Sequence, residues 1–400
     1  MPRERAPAAT GQHAVILARI FLFRPDNPER PIVALQPLAG IRILSLAEQY
    51  PGPYATMILA DLGADVILVE RPGQGDPGRR FPGLWAAFSR NKRSVTLNLK
   101  DAADKARFLE LVDSADVVLE GFRPGVMRRL GLDAATLRTR RPELVFASIS
   151  SFGQTGPNAA VAGHDLSLQG AAGMIDVPAG AEDRHQPPML PLADISSAMF
   201  AVIGVVSALL ERSRSGQGHR VDVSMHEALV SWMTPFLMPP ANGLPVRPLP
   251  PPEPAYRLFG TADGRQLTLS IAGEDHMWNQ LCELLGLSGY IGLDEAARMA
   301  RCDELTPHVR AAVARFEYAP LVAALQARGL AHGPIVRPAE VLDDPHLVAR
   351  GMKVSLPTEP GRVYLRQPIV FDGESGGIAR PVPGLGEHNA ELLGASPPPS

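Results

Sequence analysis

The feature that most constrains the fold is the alternation of short apolar strands with helices between residues 41 and 152. Because β-α-β units pair their strands in parallel through right-handed crossovers, the pattern predicts an α/β fold with an open, mostly parallel sheet. The predicted strands are "IRILSLA" (41–47), "DVILVE" (65–70), "RSVTLNL" (93–99), "DVVLEGF" (116–122) and "LVFASISSF" (144–152), with helices at 54–64 and 101–115.

The pattern changes after residue 152. A long apolar helix is predicted at 195–216, a strand at 219–225 and a helix at 226–238. Eight prolines within 239–254 indicate a stiff linker, and a strand at 264–271 opens a smaller α/β domain. We therefore expect an N-terminal extension at 1–37 that is disordered in part, a large domain at 38–238, a linker at 239–254, a small domain at 255–335, and a return segment with a C-terminal tail at 336–400 that packs on the large domain.

Composition excludes several classes of function. A net charge of −3 provides no basic field for nucleic acid. The two cysteines fit a reducing cytoplasm and show no zinc spacing, so we expect neither disulfides nor a metal. The apolar run at 14–23 is interrupted by Arg19 and is too short to span a bilayer, so we expect no membrane association and a cytoplasmic location.

Seven blocks of the sequence occur in an order that resembles the family III CoA-transferases (CaiB/BaiF type), a superfamily that also contains the α-methylacyl-CoA racemases. The resemblance covers the chain from Leu38 to Leu393 and implies a Rossmann-like large domain, a small domain and an interlocked homodimer. The blocks are "GPYATMILADLGADVILVERPGQGDPGR", "NKRSVTLNLK", "ADVVLEGFRPGVMRRLGL", "SISSFGQTGP", "GHDLSLQGAAG", "PLADISSAMFAVIGVVSALLER" and "GLGEHNAELL".

The resemblance implies that the unit at residues 50–80 holds coenzyme A, as a substrate and not as a permanently bound cofactor. Arginine suits the CoA phosphates because its guanidinium makes forked contacts with phosphate oxygens. Open α/β sheets also bind ligands at the carboxyl ends of their strands. The residues implied in CoA binding are Glu48, Gln49, Tyr50, Pro51, Arg71, Leu97, Gly121, Phe122 and Arg129.

The block "GHDLSLQG" (163–170) supplies the first hypothesis for the chemistry. By resemblance to the transferases, Asp165 is the nucleophile that attacks an acyl-CoA carbonyl. An aspartyl-acyl anhydride and a CoA thiolate form, followed by a further anhydride and an aspartyl-CoA thioester as a carboxylic acid accepts CoA. A carboxylate suits this role because it is ionised at neutral pH and forms an activated mixed anhydride.

The racemases imply a second hypothesis, in which His164 and Asp194 exchange the α-proton of a 2-methylacyl-CoA between its two faces. Glu274 is the nearest match to a supporting glutamate of that family. "HDLSLQ" differs from the racemase pattern "HDINY", and Gln169 resembles the transferases, so we favour the transferase. The small domain lacks the glycine run of well-known transferases, which leaves the racemase open. A non-catalytic CoA-binding homologue is the third hypothesis.

Overall fold

The computed structural model describes residues 35–175, 190–246 and 253–394. Its chain divides into two compact units, Met1–Met233 with Arg350–Ser400, and Thr234–Ala349. Most of the predicted N-terminal extension, residues 1–34, lies outside the described residues.

The first unit contains a six-stranded parallel sheet in the order β3-β2-β1-β4-β5-β6, which confirms the predicted α/β class. Buried, largely apolar strands are typical of a parallel sheet that is covered on both faces. The six strands lie within or one residue from the predicted ranges. They are β1 Arg42–Leu46, β2 Asp65–Glu70, β3 Lys92–Thr96, β4 Val117–Glu120, β5 Val145–Ser150 and β6 Arg220–Ser224.

Helices cover both faces of this sheet. Ile43 and Leu119 pack with α1 and α7 on one face, while Leu44 and Val118 pack with α3 and α5 on the other. The helices of this part are α1 Pro51–Asp61, α2 Pro82–Phe88, α3 Ala102–Asp113, α4 Val126–Leu130, α5 Ala134–Arg140, α6 Asp165–Ala171, α7 Leu192–Ser215 and α8 Met225–Trp232.

Helix α7 is long and apolar enough to cross a membrane by length and composition alone. Its contacts with α1, α8 and β5 instead make it a central helix of the first unit. Part of its apolar surface is not covered by the described residues: Met199, Ile203, Val206 and Leu210 follow one helix face and are each 37–55% exposed. We call these four residues the α7 stripe.

The C-terminal part of the chain returns to the first unit. Asn91 accepts hydrogen bonds from the backbone N–H groups of Ala379 and Arg380. At the sheet edge, the N–H of His388 donates to the carbonyl of Ser94, and the N–H of Thr96 donates to the Asn389 side chain. The tail therefore occupies the open edge of β3. The elements here are β10 Lys353–Val354, β11 Tyr364–Leu365, β12 Val370–Phe371, β13 Glu374–Ser375 and α15 Asn389–Leu393.

The second unit packs helices on an antiparallel sheet in the order β7-β8-β9. Trp278 and Leu281 lie fully buried in its core, and a buried ion pair joins Arg298 to Glu253 at 3.0 Å. Its elements are α9 Thr234–Ala241, β7 Tyr256–Gly260, β8 Gln266–Ser270, α10 Asp275–Leu285, α11 Glu295–Ala300, α12 Cys302–Val313, α13 Tyr318–Ala327, β9 His332–Pro334 and α14 Pro345–Ala349.

The structure corrects two sequence predictions around the proline-rich segment. The helix predicted at 226–238 is interrupted at Met233, because Pro235 has no N–H with which to continue α8. Helix α9 then includes Pro239 and Pro240, so the first residues of the predicted linker are helical. These prolines lie in the last turn, where their carbonyls still accept hydrogen bonds from Leu244 and Gly243. Residues 247–252 lie outside the described residues.

Candidate active site

A cavity of about 410 Å³ lies within the first unit, at the carboxyl ends of β1, β4 and β5. The chain runs from β1 outward to β2 and β3 on one side and continues through β4 to β6 on the other, so this is the switch point where open α/β sheets bind ligands. We call it the β1/β4 cavity. Its lining residues are Ala47, Glu48, Gln49, Pro51, Gly52, Gly121, Phe122, Arg123, Pro124, Ile149, Ser150, Ser151, Ala159, Val161, Ala162, Gly163, His164, Asp194 and Met225.

The loop between β1 and α1 forms one wall and is held in an unusual conformation. Gln49 has φ +68°, in the left-handed region, and its N–H donates to the buried carboxylate of Asp76 at 3.1 Å. Gly52 is required where the loop meets Ala47, because an added Cβ would lie 2.1 Å from the Ala47 Cβ. Glu48, Gln49 and Pro51 line the cavity as predicted for CoA contacts, whereas Tyr50 caps α1 beside them.

The carboxylate of Glu70 at the end of β2 is bonded within the protein. In dinucleotide-binding folds, the acid at this position bonds the ribose hydroxyls. Here the buried Glu70 carboxylate accepts hydrogen bonds from Arg79 at 2.7 Å through two nitrogens, from the Asp76 N–H at 2.9 Å and from the Ser94 hydroxyl at 2.6 Å. Its acceptor sites are therefore used within the protein.

Arg71 and Leu97, two of the residues predicted to contact CoA, differ in their surroundings. Arg71 pairs with Glu48 at 3.1 Å while its side chain stays 60% exposed, so it remains accessible to a ligand. Burial raises the pKa of Glu48, and the charge of Arg71 opposes that shift. Leu97 does not line the cavity: it is 2% exposed in the core on the other face of the sheet, and its N–H bonds the Glu70 carbonyl.

The segment after β4 provides cations to the site. Gly121 and Phe122 line the cavity as predicted, and Arg123, which the sequence analysis did not single out, lines it beside them. Arg129 lies outside the lining, with Nη1 3.4 Å from the position of a Cβ added at Gly125. Among the described residues, no carboxylate pairs with Arg123 or Arg129. The motif "GFRPGVMRR" could have indicated Arg123 as a candidate binding residue, because arginines that follow a strand suit a phosphate.

Asp165 begins α6, and both of its carboxylate oxygens are engaged. Oδ1 accepts a hydrogen bond from the N–H of Ala193 at 2.6 Å, and Oδ2 accepts one from the amide of Gln169 at 2.5 Å. Gln169 is itself buried, at 2% exposure. Asp165 is also absent from the lining of the β1/β4 cavity. The side chain predicted to be the nucleophile therefore fastens α6 to the start of α7.

Asp194, which the sequence analysis named for the racemase hypothesis, reaches the cavity. It lies in the first turn of α7, lines the β1/β4 cavity, and receives no side-chain hydrogen bond from the described residues. Burial, followed by the negative charge of Asp165, raises the pKa of Asp194 to about 7. Asp194 thus combines access to the cavity with a partly desolvated carboxylate.

His164 and Glu274, both named for the racemase hypothesis, belong to different units of the chain. His164 is exposed and lines the cavity beside Asp194, and its N–H bonds the Ser167 hydroxyl at 3.0 Å. Glu274 belongs to the second unit, where it precedes α10 and its carboxylate accepts the N–H of Ala272 at 2.8 Å. Within the described ranges, no group of three His, Cys, Asp or Glu side chains could hold a metal ion.

Comparison with known proteins gives a consistent result along nearly the whole chain. The family model described as CoA-transferase family III matches residues 38–389. A succinate–glutarate CoA-transferase of Agrobacterium fabrum is 33% identical over 393 residues, covering 92% of this chain and 96% of that protein. An acetyl-CoA:oxalate CoA-transferase of Acetobacter aceti is 33% identical over 374 residues, covering 89% and 95%.

A solved structure is similar to this chain along nearly its whole length. The crystal structure of a hypothetical protein from Mycobacterium tuberculosis superposes with a TM-score of 0.81 at 32% identity, covering 90% of this chain and 99% of that chain.

Replacing Glu70 with Gln tests the carboxylate that organises the β2 end of the site. Arg79 is 17% exposed, so Glu70→Gln leaves a largely buried guanidinium without its counter-charge. We expect the free energy of unfolding in urea to fall by about 3 kcal/mol. Arg71→Gln is the matched control, because an exposed pair contributes roughly 0–1 kcal/mol. Equal losses in the two variants would contradict this role for Glu70.

Proposed function

The chain belongs to CoA-transferase family III, and from this premise we propose that it transfers CoA from an acyl-CoA thioester to a carboxylic acid. The observation that carries the proposal is the carboxylate of Asp194, which lies on the wall of a cavity at the sheet's switch point and accepts no side-chain hydrogen bond from the described residues. A carboxylate nucleophile is what CoA transfer through an anhydride requires.

The cations around the cavity support CoA as the carrier. Arg123 lines the cavity, and Arg71 and Arg129 lie on segments that follow β2 and β4, the two strands on either side of β1. CoA carries a pyrophosphate and a 3′-phosphate, and guanidinium groups recognise such oxyanions through paired hydrogen bonds. We propose that these three arginines bind the phosphates and that the β1–α1 loop contacts the pantetheine arm.

The contacts favour Asp194 over Asp165 as the nucleophile. An attacking carboxylate needs an oxygen that can reach the substrate. Asp194 lines the cavity and accepts no side-chain hydrogen bond from the described residues, whereas both oxygens of Asp165 accept short hydrogen bonds. The first turn of α7 also stabilises a negative charge on Asp194 through its N–H dipoles. We therefore revise the sequence hypothesis: Asp194 attacks, and Asp165 is a positioning residue that holds the start of α7 through Ala193.

The reaction then follows four acyl-transfer steps. An Asp194 oxygen attacks the thioester carbonyl, the C–S bond breaks, and CoA thiolate leaves an aspartyl-acyl anhydride. The thiolate attacks the Asp194 carbonyl of that anhydride, which releases the donor carboxylate and forms an aspartyl-CoA thioester. The acceptor carboxylate displaces CoA thiolate to form a second anhydride. The thiolate finally attacks the acceptor carbonyl, which gives the new acyl-CoA and regenerates Asp194.

The names of the relatives support a small organic acid as acceptor. They include transferases named for succinate with glutarate, for oxalate, and for succinyl-CoA with mesaconate. Each of these acids is a short dicarboxylate. We propose that this chain also takes a short dicarboxylic acid or its CoA thioester as one of its two substrates.

We further propose that the protein acts as a homodimer, as the sequence resemblance implied. The α7 stripe supports this proposal, because four apolar side chains on one exposed helix face have no partner within the described part of this chain. Contiguous exposed apolar patches on otherwise folded proteins mark protein contacts. A second copy of the chain is the occupant that we propose for the stripe.

Trapping the covalent intermediate tests the choice of nucleophile. After mixing with succinyl-CoA, hydroxylamine trapping and peptide mapping by mass spectrometry should place the adduct on Asp194. Asp194→Asn should abolish the adduct and lower kcat by a factor on the order of 10⁴. Asp165→Asn should still form the adduct, more slowly. An adduct that maps to Asp165 and survives in Asp194→Asn would reverse the assignment.

The same samples in D₂O test the racemase alternative, which rests on His164 and Asp194 lining one cavity. Transfer through Asp194 predicts an adduct without deuterium at the α-carbon of a 2-methylacyl-CoA. Deuterium incorporation without any adduct, lost in His164→Ala, would establish two-base proton transfer instead.

The pH dependence of kcat/KM provides a second test. Burial first and Asp165 second raise the pKa of Asp194 to about 7, and only the ionised carboxylate attacks. Activity should therefore be low below the pKa and rise as pH increases through about 7. Asp165→Asn removes the neighbouring negative charge, so the rising limb should move to lower pH. If Asp165→Asn only lowers the maximal kcat/KM and leaves the pH of the rising limb unchanged, the charge of Asp165 does not influence the pKa of Asp194.

Sedimentation velocity tests the homodimer. Ile203→Glu with Leu210→Glu places two charges in the α7 stripe, and we expect the mass to change from that of two chains to that of one. Arg214→Glu, on the same helix with 69% of its side chain exposed, is the control and should remain dimeric. A wild-type protein that sediments as a monomer, or a dimer unaffected by the double substitution, would refute this use of the stripe.

A further inference from the structure

A second cavity, also of about 410 Å³, lies in the first unit on the opposite face of the sheet from α1 and α7. Glu120 and Ser148 line it, and along β4 and β5 they alternate with Leu119 and Ala147, which belong to the α1/α7 core. Pro124 is the single residue that lines both this cavity and the β1/β4 cavity. The second cavity is therefore separate from the site proposed for transfer.

Three arginines from three different elements line this second cavity, which we call the arginine cavity: Arg128 of α4, Arg138 of α5 and Arg220 of β6. Within the described ranges, Arg128 has no carboxylate partner, and Arg138 donates only to the carbonyl of Gly218 at 2.6 Å. Arg220 forms an ion pair with Asp222 at 3.7 Å. Arg128 and Arg138 therefore line the cavity without a carboxylate partner among the described residues.

The two acids that line the arginine cavity have their oxygens engaged elsewhere. Glu120 accepts the N–H of Phe122 at 2.8 Å and a hydrogen bond from Ser148, and burial raises its pKa. Asp133 caps α5 through the N–H groups of Ala135 and Thr136. The cavity therefore holds three guanidinium groups beside two carboxyl groups that already accept hydrogen bonds from the protein.

The guanidinium of Arg138 is only partly satisfied within the described part of the chain. Its Nε is buried and has no hydrogen-bond acceptor among the described residues. Buried donors in folded proteins are nearly always satisfied, so this guanidinium has donor capacity left beyond its bond to the Gly218 carbonyl.

We propose that the arginine cavity is a second anion site, which binds a phosphoryl dianion independently of the CoA substrate. Guanidinium groups from three elements suit a tetrahedral group with several equivalent oxygens, because each can donate to a different oxygen. The hydroxyls of Ser148 and Thr155 and the amide of Gln154 line the same cavity and add neutral polar groups. The volume allows a phosphoryl group carried by a small molecule as well as free phosphate.

Isothermal titration of the full-length protein at low ionic strength tests this site, with inorganic phosphate and AMP as the probes. Each anion titration is made without CoA and again after CoA has been titrated to saturation, so that in the second the phosphate contacts of the transfer site are already filled. We expect saturable binding of one anion per chain. Arg128→Gln and Arg138→Gln should each weaken it at least about tenfold, because each loses hydrogen bonds between charged groups. Preference for AMP would indicate a phosphorylated metabolite, and equal binding the free ion.

Arg214→Gln is the control for general loss of charge and should leave the anion affinity unchanged. Arg128 has no described partner, so Arg128→Gln should keep the wild-type melting temperature even if Arg138→Gln does not. No saturable binding, or binding that both cavity variants retain, would overturn the proposal. So would anion binding that disappears when CoA is added, since that locates it in the transfer site. CoA affinity is measured in the same titrations, so a failure to bind CoA is scored separately.

Discussion

The buried carboxylate of Glu70 is the group on which the organisation of the first unit depends. It holds the N–H of Asp76, whose own carboxylate fixes Gln49 in the loop that lines the β1/β4 cavity. It also accepts from Ser94, and Ser94 in turn accepts the N–H of Gly386 in the tail. One charged group therefore links a ligand-binding loop, the edge strand and the C-terminal segment. Since its acceptors are used internally, this unit has no free acid for a ribose, which agrees with CoA as the ligand.

Two aspartates 29 positions apart in sequence acquire different roles from their surroundings. Asp165 is bonded by a backbone N–H and a buried amide, whereas Asp194 faces the cavity and is partly desolvated. Hydrogen bonds to an ionised carboxylate stabilise the charge, while desolvation disfavours it. The first carboxylate is thereby fixed in place, and its charge contributes to raising the pKa of the second. This division suits a reaction in which one carboxylate must become covalently modified while its neighbour stays unreacted.

Local pattern predicted the six parallel strands to within a few residues, because buried strands such as "DVILVE" are continuous apolar runs with clear turns around them. The family resemblance led to Glu48, Gln49, Pro51, Gly121 and Phe122, which all line the cavity. The contact that leads us to propose Asp194 in place of Asp165 could not be predicted from sequence, since it joins Asp165 to the backbone of Ala193, 28 positions away. Leu97 lies in the core on the other face of the sheet, and the sequence does not show to which face the residue after a strand points. The interruption of the helix at Met233 could have been predicted from the sequence, because Pro235 has no N–H for a helical hydrogen bond.

The tail that closes the β3 edge has a consequence for how the protein is made. The first unit combines residues before 234 with residues after 349, so its sheet keeps an uncovered edge while the whole second unit is being synthesised. Unpaired strand edges are prone to associate with other chains. The large domain can reach its final form only after the last residues leave the ribosome. During translation, the second unit is therefore the contiguous part that can fold before the chain is finished.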